Sequence, residues 1–281
     1  MKSIFIILIK NKFLHRLIYF SLAKSFRDKL LEKLQKYNLF YAQNHWIEIY
    51  DPLDQSVFAK EGIYEQVTTH FVREYLRSGD CVYDVGANIG YYSLEFARSV
   101  GKTGFVESFE PHPDIFSVLE RNIKRNGYRN INLNNVACGE SRSVKRLYFS
   151  TENEGNHKVI QNPNSNKSVE VQMIALADKI HSMPPKLIKM DIEGSELLAL
   201  KGIGEEFLKQ CNIDFIIEFH PYEMSFFNIE GHEILDLFSL HGYGFRNLAY
   251  GDFPIIKKVD ILKNYRKEEF GITNLFCSKS I

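Results

Sequence analysis

The stretch CVYDVGANIGYYSLEFA, Cys81 to Ala97, sets a carboxylate and two glycines around one turn. An apolar, β-branched and aromatic run closes on Asp84; Gly86 and Gly90 follow, and a helical segment begins. A dinucleotide site expects G-x-G-x-x-G with its pyrophosphate on the helix N-terminus. Here Asn88 stands in place of the middle glycine, and the acid in front would repel a pyrophosphate. The same acid suits a ligand bearing an ammonium group. Gly86 is expected to clear space for the ligand's close approach, and Gly90 to let the helix start tight against the strand. A second strand, FVESFE, ends in Glu110, where an acid accepts hydrogen bonds from both hydroxyls of a ribose. An amino-acid end and a ribose end on one ligand describe S-adenosylmethionine.

A second group of residues could act on an acceptor. Asp191 follows the run KLIKM, and Glu218 lies near the end of IDFIIEF. Neighbouring strands run about 4.8 Å apart, so both tips would face one crevice. His220, two residues after Glu218, falls on the same side of the strand. Glu193 is expected to open the next helix, where its charge suits the N-terminus. An alcohol acceptor needs a base or a metal to help its deprotonation. Asp191 is the first choice for that work and His220 the second. The plainer readings are a helix-start acid for Glu193, a partner for Lys189 in Glu218, and a turn before Pro221 for His220. Oxygen ligands of this kind suit Mg²⁺ or Mn²⁺, so a divalent metal is an open alternative, although no closed ligand set can be read.

The elements that must position these groups alternate from about residue 65, which predicts an α/β fold with a mainly parallel sheet. HPDIFSVLERNIKRNG, residues 112–127, reads as a helix with Pro113 in its first turn and Gly127 at its stop. INLNNVAC, residues 131–138, is the third strand. The alternation then breaks. VKRLYFS and SVEVQMI have strand character around a polar stretch, residues 151–167, and predict a β-hairpin insertion with a long connection. It resumes with strands at 186–190 and 213–219, helices at 195–201 and around GHEILDLFSLHG, and two closing strands in YGFRNL and NLFCS. The total is about seven strands, and ligands bind such sheets beyond the strand tips where strand order reverses.

Net charge is zero over 281 residues but is unevenly spread: residues 1–36 carry +7 and the remainder −7. An acidic body disfavours a dedicated nucleic-acid binder and, with it, RNA as the acceptor. The basic segment places Phe13, Leu14, Leu17, Ile18 and Leu22 at helical spacing. It reads as an amphipathic helix lying on an anionic membrane or packed on the domain. It is too interrupted by Lys10, Lys12 and Arg16 to span a bilayer or serve as a signal peptide. Four scattered cysteines, Cys81, Cys138, Cys211 and Cys277, suggest reduced thiols in a cytoplasmic protein.

DVGANIGYYS, ESFEPHP, NNVACGE, IKMDIEGSELLALKGI and IIEFHP occur in the order found in FkbM-type methyltransferases, which the chain resembles from about Asp51 to Cys277. The resemblance implies the seven-stranded class I (Rossmann-like) fold with helices on both faces over 51–281; residues 1–50 fall outside it and are expected to form a basic, amphipathic helical extension. It implies S-adenosylmethionine as cofactor and a hydroxyl of a sugar, glycolipid or secondary metabolite as acceptor. Asp84, Gly86, Asn88 and Gly90 would line the methionine side, Glu110 would take the ribose, and Ala137 and Cys138 would lie by the adenine. Glu65 in YEQ matches a recurrent family glutamate that would face the cofactor. A nucleotide-dependent sugar oxidoreductase and a non-catalytic binding module of the same fold are the competing readings.

Overall fold

The computed structural model describes residues 39–42, 44–49, 63–148, 168–180 and 184–281. The basic segment 1–36 and the polar stretch 151–167 lie outside them. Among the described residues the main sheet has seven strands: β3 (Cys81–Val85), β4 (Phe105–Phe109), β5 (Ile131–Asn134), β9 (Leu187–Met190), β10 (Asp214–Phe219), β11 (Gly244–Asn247) and β12 (Thr273–Ser278). Their order is β11-β12-β10-β9-β3-β4-β5. β3, β4, β5, β9 and β10 run parallel, and β12 enters antiparallel between β10 and β11. The chain winds outward from β3 to β5, then returns to β9 on β3's other side. Strand order therefore reverses between β3 and β9, and a crevice opens beyond their carboxyl ends.

β3 and β9 are buried along their whole length, as central strands covered on both faces must be. One face is covered by α1 (Gln66–Tyr75), α2 (Tyr91–Val100) and α3 (Pro113–Asn126), which pack with Val82, Val106, Leu187 and Ile216. The other carries α4 (Glu196–Ile203), α5 (Glu205–Gln210) and α7 (Gly231–Leu240) against Ile188, Met190, Phe215 and Ile217. Two short helices, α6 (Pro221–Ser225) and α8 (Lys258–Asn264), complete the set. α3 has the predicted limits: His112 Nδ1 accepts from the Asp114 and Ile115 amides, and Gly127 closes the helix at φ 72°.

Two expectations are corrected. Residues 39–48 are not helical: β1 (Leu39–Ala42) and β2 (His45–Glu48) form a hairpin. Two asparagines of α3 serve β2 as a partner strand would. Asn126 and Asn122 accept from the amides of Trp46 and Glu48 at 2.9 and 2.7 Å and return side-chain donors to the same residues' carbonyls. Ile47 is fully buried beneath them. The hairpin is further held by Glu95, ringed by His45, Arg73 and Arg98; burial alone would raise its pKa, and these groups hold it at about 2.

The third strand is two strands. β5 stays in the main sheet, whereas β6 (Ala137–Gly139) turns away and pairs parallel with β8 (Ser168–Ala175). β8 also pairs antiparallel with β7 (Ser143–Tyr148), so the expected hairpin forms and β6 makes it a three-stranded sheet. The break falls at Asn135, whose side chain donates to the Glu110 carbonyl at 2.8 Å.

Candidate active site

A cavity of about 300 Å³ opens at the β3/β9 reversal. Asp84, Gly86, Asn88 and Glu110 line it together with Asp191, Glu193, Glu218 and His220. Ala137 and Cys138, brought round by the turn of β6, form part of its wall. Ten of the twelve residues singled out from sequence thus meet in one cavity. The remaining two stand just behind it. Glu65, at φ 44° before α1, accepts a 2.6 Å hydrogen bond from the hydroxyl of Tyr92, whose ring lines the cavity. Gly90, at φ 92°, is where α2 meets α3, because an added Cβ would lie 2.5 Å from Leu119.

Gly86 is glycine for a reason not expected from sequence. At φ 85°, an added Cβ would lie 1.9 Å from the Asp191 carbonyl oxygen. The positive φ and the neighbouring backbone already exclude a side chain here. Glu193 is not a helix-start acid either. It turns the chain at φ 55°, and Gly194 follows at φ 92° with no room for a Cβ against Glu223. The acid in the first turn of α4 is Glu196.

The cavity's acids are held by defined partners. Asp84 is buried and accepts from Ser93 Oγ at 2.6 Å; burial raises its pKa to about 6, against the pull of Lys189 and Ser93. Glu110 accepts from the amides of Asn88 at 3.0 Å and His112 at 2.8 Å, and burial carries it to about 7. One carboxylate thereby fixes the turn after β3 to the loop after β4. Glu218 is pushed well above the carboxylate range by burial and then by Asp191, Glu193 and Glu196.

Sequence reasoning missed three features. Lys189 is 2% exposed and donates to Asp191 Oδ2 at 2.8 Å; it does not pair with Glu218. A lysine inside the apolar run LIKM was the signal, since a buried ammonium is kept only with a partner. Tyr64, Tyr91 and Tyr92 form an aromatic wall, with ring centres 5.3–6.4 Å apart. Glu196 lies beneath Asp191, accepts from the Ile192 and Gly194 amides, and has burial raise its pKa to about 7.

Among the described residues no three His, Cys, Asp or Glu side chains converge as metal ligands. Asp191 also commits one oxygen to Lys189. This donor set does not fit a bound Mg²⁺ or Mn²⁺, and no step is assigned to one. All four cysteines are free thiols. Among the described residues no helix is long and apolar enough to cross a membrane.

The seven-stranded order with its antiparallel β12, together with acids at the tips of β3 and β4, defines a class I methyltransferase fold. Residues 84–246, more than half of the chain, match the methyltransferase FkbM domain, and the chain belongs to that family. It is 29% identical over 159 residues to the hexuronic acid methyltransferase AglP of Haloferax volcanii, covering 56% of this chain and 62% of that protein. To the 31-O-demethyl-FK506 methyltransferase FkbM of Streptomyces tacrolimicus it is 28% identical over 162 residues, covering 46% and 62%. The match to Methyltransferase 1 of Beauveria bassiana covers 44% of this chain and 59% of that one at 24% identity. The chain thus spans less than two thirds of these relatives' lengths. A solved FkbM methyltransferase from Methylobacillus flagellatus superposes with a TM-score of 0.46 at 20% identity, over 75% of this chain and 47% of that one.

Proposed function

We propose that the protein is an S-adenosylmethionine-dependent O-methyltransferase acting on a hydroxyl of a sugar, glycolipid or secondary metabolite. The observation that carries this reading is one cavity lined by both groups of residues that the sequence singled out. Asp84, Glu110 and the apolar wall at Ala137 and Cys138 suit an ammonium, a ribose and an adenine; Asp191, Glu218 and His220 line the same cavity. S-adenosylmethionine, when bound, supplies a methyl group on a sulfonium. The chain's own part is to hold the acceptor in line with it, which in well-aligned systems contributes on the order of 7–11 kcal/mol, and to remove the hydroxyl proton.

Asp191, fixed by Lys189, orients the hydroxyl. Glu218 and His220 are the candidates to take its proton. Burial and the neighbouring acids raise the pKa of Glu218, which makes its ionised form a stronger base than an ordinary carboxylate. The FkbM domain match leaves the oxidoreductase alternative without support. The basic segment 1–36 is proposed to bring the enzyme to an anionic surface, a role that vesicle sedimentation at low and high salt would test.

The test is turnover. Incubation with S-adenosylmethionine and a panel of hydroxylated glycosides, glycolipids and polyketides should release S-adenosylhomocysteine with at least one acceptor, with the new methyl group on oxygen. Tight cofactor binding with no turnover across the panel would instead support the non-catalytic module. Methylation at nitrogen or carbon would sink the O-methyl assignment.

A further inference from the structure

Five carboxylates line the cavity: Asp84, Glu110, Asp191, Glu193 and Glu218. Among the described residues that line it, Lys189 is the only lysine or arginine. A ligand that brings a carboxylate into this cavity meets these acids, with Lys189 as the one ammonium among the described lining residues to receive it. Lys189 stands directly opposite Asp84 in the parallel register of β9 and β3. The two strands are about 4.8 Å apart, so an anion and a cation lie side by side at the wall of one cavity.

The ammonium is also oriented. It donates to Asp191 on one side and lies 4.5 Å from the centre of the Tyr92 ring on another. The Tyr92 hydroxyl donates to Glu65, which leaves the ring face to the cation. An ammonium has three donors, and one carboxylate and one ring do not saturate it.

We propose that Lys189 receives the α-carboxylate of the cofactor's amino-acid end, beside Asp84, which receives its α-ammonium. The two groups of an α-amino acid sit on one carbon, and the Asp84–Lys189 pair offers their complementary charges on adjacent strands. Lys189 is then a cofactor-binding residue that distinguishes the zwitterion from a ligand with an amine alone. This assignment rests on the S-adenosylmethionine reading of the cavity.

Calorimetry with S-adenosylhomocysteine and its decarboxylated analogue tests it. Wild type should bind the former more tightly by about 10–100-fold, the range for a hydrogen-bonded charge pair. Lys189→Gln should lose that factor for S-adenosylhomocysteine while changing affinity for the decarboxylated ligand by less than about threefold. A melting curve confirms that the variant folds, and Lys189→Met serves if it does not. Equal affinity of wild type for the two ligands overturns the assignment without any variant. So does a Lys189→Gln protein that weakens both ligands equally or neither, which would confine Lys189 to pairing with Asp191. If wild type binds neither ligand, the cofactor reading itself has failed, and that result is distinct from the others.

Discussion

The Cβ that Gly86 lacks would lie 1.9 Å from the carbonyl oxygen of Asp191. The turn after β3 and the turn after β9 are therefore in backbone contact. The proposed cofactor-side and acceptor-side motifs, more than a hundred residues apart in sequence, are thereby joined through backbone. Gly86→Ala meets both a left-handed φ and this clash. The conformational cost alone is about 1–2 kcal/mol, and displacement of Asp191 adds to it. The variant should melt several degrees lower than wild type and turn over poorly even with saturating cofactor. A melting temperature equal to wild type would show that the contact yields easily.

Glu110 holds two backbone amides and offers its remaining lone pairs to the cavity. Glu110→Gln keeps the shape and one acceptor oxygen but removes the charge. It should weaken S-adenosylhomocysteine binding by about 1–3 kcal/mol, read by calorimetry. Unchanged affinity would remove Glu110 from the cofactor site.

Ligand-free stability should peak near pH 5. Asp84 at about 6, Glu110 at about 7 and Glu196 at about 7 are all raised by burial. Between their ordinary pKa values, about 4–4.5, and these raised ones, the folded chain holds more protons than the unfolded one. Stability therefore falls as pH rises through that window. His112, lowered by burial, opposes this below about 6.5, but it is one group against these three and Glu218, which burial also raises. Below about 4.5 the sign reverses, because Glu95 is held at about 2 and loses its stabilisation as it is protonated. Melting temperatures should be higher at pH 5.5 than at pH 8, and Glu196→Gln should narrow the difference. A flat profile in wild type would contradict the burial of these acids.

Asp191→Asn should leave S-adenosylhomocysteine affinity within a factor of a few. Glu218→Gln should do the same while lowering turnover by about 10²–10⁴ if Glu218 takes the proton. In that case Asp191→Asn costs less, since it disturbs orientation alone, and EDTA has no effect on either. A Glu218→Gln enzyme with full activity, beside a His220→Ala enzyme without it, would transfer the proton to His220.

Most of the site was legible because its chemistry sits at strand ends. Asp84, Glu110, Asp191 and Glu218 each close an apolar run, and a parallel sheet gathers such ends at one edge. The hairpin at 39–48 was not legible, because its edge is satisfied by Asn122 and Asn126 from a helix some eighty residues away. The departure of β6 was hidden for a related reason: INLNNVAC has strand character throughout, and only the Asn135 contacts mark the break. Lys189 was legible as an anomaly but not in its partner. Pairing along the strand to Asp191 and across to Glu218 are both geometrically open, and side-chain packing decides between them.

The cavity between β3 and β9 is proposed as an S-adenosylmethionine site closed by Asp84 and Glu110. Titration of the full chain with S-adenosylhomocysteine, alongside Asp84→Asn, Glu110→Gln and NAD⁺, tests it most directly. One site per chain is expected for S-adenosylhomocysteine, at least about fivefold weaker in either variant, and no heat with NAD⁺. Absence of S-adenosylhomocysteine binding, or equal affinity in wild type and both variants, would contradict it.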